Sequence, residues 1–175
     1  MSTRHAILCL LAEAPMSGYD VAKRFEHSLQ RVWFVRSNQI YVELKSLEEA
    51  KEIELTEYGP RNRKIYSITA KGLDEARQWL TASIDESGRS LRFEPLLRLN
   101  FLWMLDAQEA IQLLDAEALY YEEQVQILTE AMKTLPNDEG DASISHRRRA
   151  AIVGIELYRS MAKASEELRR TYQEG

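Results

Sequence analysis

Apolar positions recur every three to four residues through most of this 175-residue chain and switch to strict alternation in one short stretch. Ile7, Leu10, Leu11 and Ala14 predict a first helix from about Thr3 to Ala14, ended by Pro15, which cannot continue the hydrogen-bond ladder. Ser17 is placed to cap a second helix that buries Val21, Ala22, Phe25 and Leu29. After the loop Arg31–Arg36, Ser37 is the expected cap of a third helix, with Ile40, Leu44 and Leu47 at i, i+4, i+7. Ile53 and Leu55 then alternate with polar neighbours, as do Tyr66 and Ile68, with Gly59-Pro60 at the turn between them. Thr69 caps a further helix, Ala70 to about Ile84, with Leu73, Ala76 and Leu80 facing inward.

Residues 85–94 form a polar break between a domain over 1–84 and a purely helical one over 95–175. Leu96 to Leu105 is apolar on every side, a pattern expected of a covered helix rather than a surface one. A long helix follows from about Ala107 to Leu135, with Ile111, Leu114, Ala118, Tyr121, Val125, Leu128, Met132 and Leu135 spaced three and four apart. Pro136–Gly140 ends it. The last helix carries Ile144, Ala151, Ile155, Tyr158, Ala162, Ser165 and Tyr172 at similar spacing. Two long helices do not enclose a full core unaided, so their seams are expected to meet each other and a second subunit. The residues assigned to that dimer interface are Ile111, Leu114, Ala118, Tyr121, Val125, Leu128, Met132, Ile155, Tyr158 and Ala162. The fold class is therefore mostly α: an N-terminal winged helix-turn-helix, three helices plus a hairpin wing, and a C-terminal antiparallel long-helix dimerisation domain.

Charge sharpens the division. The net charge of −5 argues against a surface that binds nucleic acid indiscriminately. Residues 1–80 hold 12 Lys+Arg against 11 Asp+Glu, whereas the remainder holds 11 against 17, so the acidic half is a poor partner for phosphate. No run of about 18 apolar residues predicts a membrane span. The chain enters an amphipathic helix directly, and a single cysteine, Cys9, suits a reducing compartment, so a cytoplasmic protein is expected.

The candidate chemistry lies between residues 36 and 68. Opposite its buried stripe, the third helix carries Asn38, Gln39, Val42, Lys45 and Ser46 near its N-terminus, a mixture able to read base edges. The hairpin tip adds Arg61, Arg63 and Lys64. Either feature alone is an ordinary solvated surface; side by side they form a recognition helix and a basic wing. Catalysis finds no support, because His5, His27 and His146 are scattered, Cys9 sits in an apolar helix, and no phosphate loop or nucleophile elbow occurs. No metal site and no cofactor are expected. A winged helix that binds another protein instead of DNA is the alternative, favoured by the small charge of the first 80 residues.

The stretches AILCLLAEAPMSGYDVAKRFE, QIYVELKSLEE and GPRNRKIYSITAKG resemble the PadR family of bacterial transcriptional regulators in register over residues 6–72. The second half, with LLRLNFLW and two long helices, is similar to the helical dimerisation domain of that family's virulence-activator-like branch. Family members often have Pro where this chain has Val42, and Gly in the turn where it has Ala50-Lys51-Glu52. The resemblance implies a homodimer placing two recognition helices on a pseudo-palindromic duplex. Ser37 caps the helix at that surface; Asn38 and Gln39 would contact base edges and Val42 a thymine methyl. Tyr19, Tyr41 and Lys45 would hold phosphates, and Arg61, Arg63 and Lys64 the backbone or minor groove. It also implies a small aromatic or hydrophobic effector, for which Trp33, Phe34 and Trp103 are the candidate pocket residues; Trp79, Tyr120 and Tyr121 are further rings that could equally be packing. Arg147-Arg148-Arg149, a second cationic run, is expected to pair with carboxylates across the dimer rather than with DNA.

Overall fold

The computed structural model describes residues 2–29, 33–84, 93–135 and 142–174, and within these omits the side chains of Ser28, Arg61, residues 142–145 and Glu174. Most of the polar break, the Pro136–Gly140 turn, the seam side chain of Ile144 and the wing side chain of Arg61 thus lie outside the described residues. The chain divides into two compact units, Met1–Arg89 and Ser90–Gly175.

In the first unit, α1 (Ser2–Glu13) leads into β1 (Met16–Ser17) and α2 (Gly18–Arg24), which continues as one π-helical turn over Phe25–Leu29. Ser17 caps α2 as its sequence predicts: its hydroxyl accepts the Asp20 N–H at 3.2 Å, and Asp20 in turn accepts the Ser17 N–H. Next come α3 (Ser37–Glu49), β2 (Ile53–Gly59), a 3-10 turn (Pro60–Asn62), β3 (Arg63–Ile68) and α4 (Ala70–Thr81). The core gathers Ile7, Leu8 and Leu11 of α1, Val21 and Phe25, the α3 stripe Ile40, Leu44 and Leu47, and Ile53, Tyr66 and Ala76. Full burial of each Leu, Ile, Val or Phe among them stabilises the unit by about 1.5–3 kcal/mol.

Two features escape periodicity. Met16 and Ser17 add a third strand to the hairpin, pairing antiparallel with Tyr66 and Ile65 in the order β1-β3-β2. Two residues are too short a run to show alternation. The register of β2 against β3 also shifts between Leu55 and Glu57. Furthermore, α4 stops at Thr81, and Leu80, expected inward, is 66% exposed.

The start of α4 is tied to the turn after α3. Thr69 Oγ1 caps the Gly72 N–H at 3.2 Å and donates to the Lys51 carbonyl at 2.9 Å. A Cβ on Gly72 would stand 2.1 Å from the Glu52 carbonyl oxygen, so only glycine permits this approach. Below it, Arg4 Nη2 holds the largely buried Glu52 carboxylate at 2.7 Å.

The second unit comprises α5 (Glu94–Leu99), a 3-10 turn (Leu102–Met104), α6 (Ala107–Lys133) and α7 (Ala142–Glu174). Asp106 caps α6, accepting the Glu109 N–H at 2.8 Å. The long helices run antiparallel: Arg169, late in α7, reaches Asp115, early in α6, at 3.3 Å, while Arg148 Nη2 donates to the Leu135 carbonyl at 2.9 Å. Arg148 therefore reaches the C-terminal end of α6, where a cation suits the partial negative charge of the last carbonyls.

The two long helices meet along their apolar seams within the chain, as their spacing predicts. Leu114, Ala118 and Tyr121 of α6 and Ile155 and Ala162 of α7 are buried, with Ile111, Val125, Leu128, Met132 and Tyr158 half-buried among the same two helices. Tyr121 stacks on Tyr158 with ring centroids 6.2 Å apart, and burial, followed by Glu117, pushes its phenol well above the usual tyrosine range. Five of the ten residues assigned to a subunit interface are thus covered by their own chain, and the other five keep part of their surface open. The outward apolar residues are others: Leu119 and Tyr120 on α6, and Ile152, Val153 and Leu157 on α7. Leu96 and Leu97 of α5 and Phe101, Trp103 and Met104 are likewise exposed in the single chain, while Leu102 is buried, contrary to the covered helix expected there. Among the described residues no helix is long and apolar enough to cross a membrane.

Candidate nucleic-acid interface

Burial of Ile40, Leu44 and Leu47 fixes the rotation of α3, and its opposite face is left open. Asn38, Gln39, Tyr41, Val42 and Lys45 are all exposed, Val42 by 69%. Ser37 begins the helix without capping it; that position falls to Arg36. The Arg36 N–H donates to Gln39 Oε1 at 3.1 Å, so a glutamine in the first turn satisfies the backbone donor at the cap position. Ser37 remains exposed at the helix start.

Tyr41 projects from α3 towards the start of α2. A Cβ on Gly18 would lie 2.6 Å from its ring, so the missing side chain there is the seat of the Tyr41 ring. Next to it Tyr19 lies half exposed, with the Arg63 guanidinium 4.6 Å from its ring centroid, a cation–π contact joining α2 to the wing. Tyr41 thus packs on α2 at Gly18, and the following residue, Tyr19, meets Arg63 of β3.

The wing's second cation faces the other way. Side chains alternate along β3, so Lys64 shares a face with Tyr66, which is buried against the core. That face turns Lys64 towards α3, where its Nζ stands 3.9 Å from Glu48 Oε2. The Tyr66 phenol is pushed up by burial first and by Glu48 second, with Lys64 drawing it back down. One turn away, Lys45 Nζ lies 3.8 Å from Glu49 Oε1. Glu48 was invisible to periodicity because Leu-Glu-Glu reads as a solvated helix end; the alternation of Lys64 with Tyr66 was the signal that could have found it.

Two of the three histidines have structural partners. His5 Nε2 meets Glu75 Oε1 at 3.2 Å and its ring stacks on Trp79, while His27 Nδ1 donates to the Lys23 carbonyl at 2.8 Å. Burial, reinforced by Glu13, pushes the Cys9 thiol up, away from the thiolate form a nucleophile needs.

Trp33 and Phe34 line a cleft of about 320 Å³ together with Ala22, Phe25, Glu26, Val35, Arg36, Ser37 and Ile40. The Trp33 indole N–H donates to Thr3 Oγ1 at 3.0 Å, which explains how an indole is held in a loop. Trp103 belongs to the second unit, where it is 77% exposed.

Three core helices, an open polar face on the third and a basic hairpin beside it define the winged helix-turn-helix class. Residues 7–78 match the transcriptional regulator PadR-like family. The negative transcriptional regulator PadR of Bacillus subtilis is 33% identical over 113 residues, 63% of this chain, and the match spans 62% of that relative's length. The crystal structure of Bacillus subtilis PadR in complex with operator DNA is 25% identical, with a TM-score of 0.83 over 98% of this chain and 99% of that one. The structure of the same protein in complex with p-coumaric acid gives 25% identity and 0.81 over 97% and 98%. Over residues 7–78 the chain is thus similar to a family of transcriptional regulators.

Proposed function

We propose that the protein is a sequence-specific DNA-binding regulator acting in the cytoplasm as a homodimer on a pseudo-palindromic operator. The observation that supports this reading is the open face of α3, with Asn38, Gln39 and Val42 exposed, and the Arg63–Tyr19 cation–π contact that ties the wing to α2. Asn38, Gln39 and Val42 read bases in this scheme, whereas Tyr19, Tyr41, Lys45, Arg61, Arg63 and Lys64 hold the backbone. The name of the Bacillus subtilis relative, a negative regulator, supports repression as the outcome.

In this reading residues 1–84 bind DNA, 85–94 link, and 95–175 dimerise. The outward apolar residues of α6 and α7 are the surface for the second subunit, because large apolar side chains exposed on otherwise charged helices mark an interaction face. The complex of the relative with p-coumaric acid supports a small aromatic effector, and the cleft under Trp33 and Phe34, flanked by Arg36, offers rings and a cation for one. The low charge of residues 1–80 favours a second reading, a winged helix that binds protein. Titration of duplex DNA from upstream of the gene separates the two: the regulator binds it, weakening with salt, and the protein-binding module does not.

A further inference from the structure

Lys64 is held at the junction of wing and third helix by a carboxylate that the DNA-binding scheme leaves unused. Its ammonium stands 3.9 Å from Glu48 Oε2, with the Glu48 side chain 34% and the Lys64 side chain 49% exposed. Carboxylate and phosphate are both acceptor-only anions, and an ammonium serves either as a point charge with three donors. A phosphate reaching Lys64 therefore competes with Glu48, and whichever anion loses the contact remains near a like charge. Lys45 stands against Glu49 in the same way at 3.8 Å, so both lysines of this surface carry a carboxylate partner, whereas Arg63 lies on the Tyr19 ring.

We propose that Glu48 is an internal competitor for Lys64 that lowers affinity for every duplex, operator or not. The proposal rests on the DNA-binding reading above. Because the pair is partly exposed, its effect is modest, about two- to fivefold in affinity. It acts on the backbone contact, so it shifts specific and non-specific binding alike and leaves their ratio unchanged.

The test is a double-mutant cycle read by fluorescence anisotropy on the full chain, with the upstream duplex and a scrambled duplex at fixed salt. Glu48→Gln and Glu48→Ala should each tighten both duplexes by that factor in the native protein and change nothing when Lys64 is already Ala. A gain that persists with Lys64→Ala would assign the effect to direct repulsion of DNA by Glu48 and overturn the competition. A loss of affinity at unchanged melting temperature would make Glu48 a contact rather than a competitor, and an absence of any gain would also refute the proposal. If the native protein binds neither duplex, the DNA-binding reading itself fails, an outcome distinct from native binding without a gain.

Discussion

Gly18 and Tyr41 share one small volume: a Cβ on the glycine would stand 2.6 Å from Cε1 of the tyrosine ring and 3.2 Å from Leu44 Cδ1. The ring lies where a side chain on α2 would otherwise be, so the glycine sets how Tyr41 leaves α3. Gly18→Ala should displace the ring outward, since the ring is half exposed and free to move. We expect at least a severalfold loss of DNA affinity with a melting temperature within a few degrees of native. Unchanged affinity would show that Tyr41 does not hold the backbone.

Gln39 has two tasks in this account. Its Oε1 accepts the Arg36 N–H, and its amide would pair with an adenine edge. Gln39→Glu keeps the acceptor for the backbone but loses the donor for the base. Stability should hold, whereas discrimination between operator and scrambled duplex should fall by about 1–3 kcal/mol. Gln39→Ala should lose discrimination and also about 0.5–2 kcal/mol of stability. Equal losses on both duplexes would remove Gln39 from the base-reading set.

Lys51 takes φ 57°, the left-handed conformation, immediately after α3. Its N–H bonds to the Glu48 carbonyl at 3.0 Å and the Glu52 N–H to the Leu47 carbonyl at 3.0 Å, the pattern of a helix terminus that favours glycine. Lys51→Gly should therefore stabilise the protein by about 0.5–1 kcal/mol, after the greater freedom of glycine in the unfolded chain is offset. Urea denaturation measures it; a lower midpoint would mean that the lysine side chain stabilises the turn.

The two faces of the helical unit separate folding from assembly. Leu114 is fully buried in the α6–α7 seam, whereas Leu157 is 62% exposed. Leu157→Asp should yield a folded monomer by light scattering, with weakened DNA binding. Leu114→Asp should instead unfold the unit, with loss of several kcal/mol from a buried unpaired charge. A dimer that survives Leu157→Asp together with Val153→Asp would place the subunit contact elsewhere.

Legibility in the sequence followed the length of the pattern. The third helix, the hairpin and the two long helices were readable because Ile40, Leu44 and Leu47, the alternation through Tyr66, and the seam through Leu114 and Tyr121 each repeat several times. The two-residue strand at Met16 is too short to repeat. Spacing revealed which side of α6 is apolar and that α7 would meet it, but not how much of that side stays open, because an intrachain seam and an intersubunit seam have one period. Within the candidate site, residue types on α3 were visible, while the partners were not. Gly18 under Tyr41, Tyr19 under Arg63 and Glu48 against Lys64 each join residues from separate elements.

The central claim is that α3 and the wing read DNA, and it is tested most directly by anisotropy titration of the upstream duplex across a salt series, native protein against Arg61→Ala/Arg63→Ala/Lys64→Ala. The account predicts saturation at two chains per duplex, preference over a scrambled duplex, and a log–log salt slope that flattens by about 0.9 for each wing cation that meets a phosphate. Binding insensitive to salt and to the triple substitution, or none to either duplex at low salt, would contradict it.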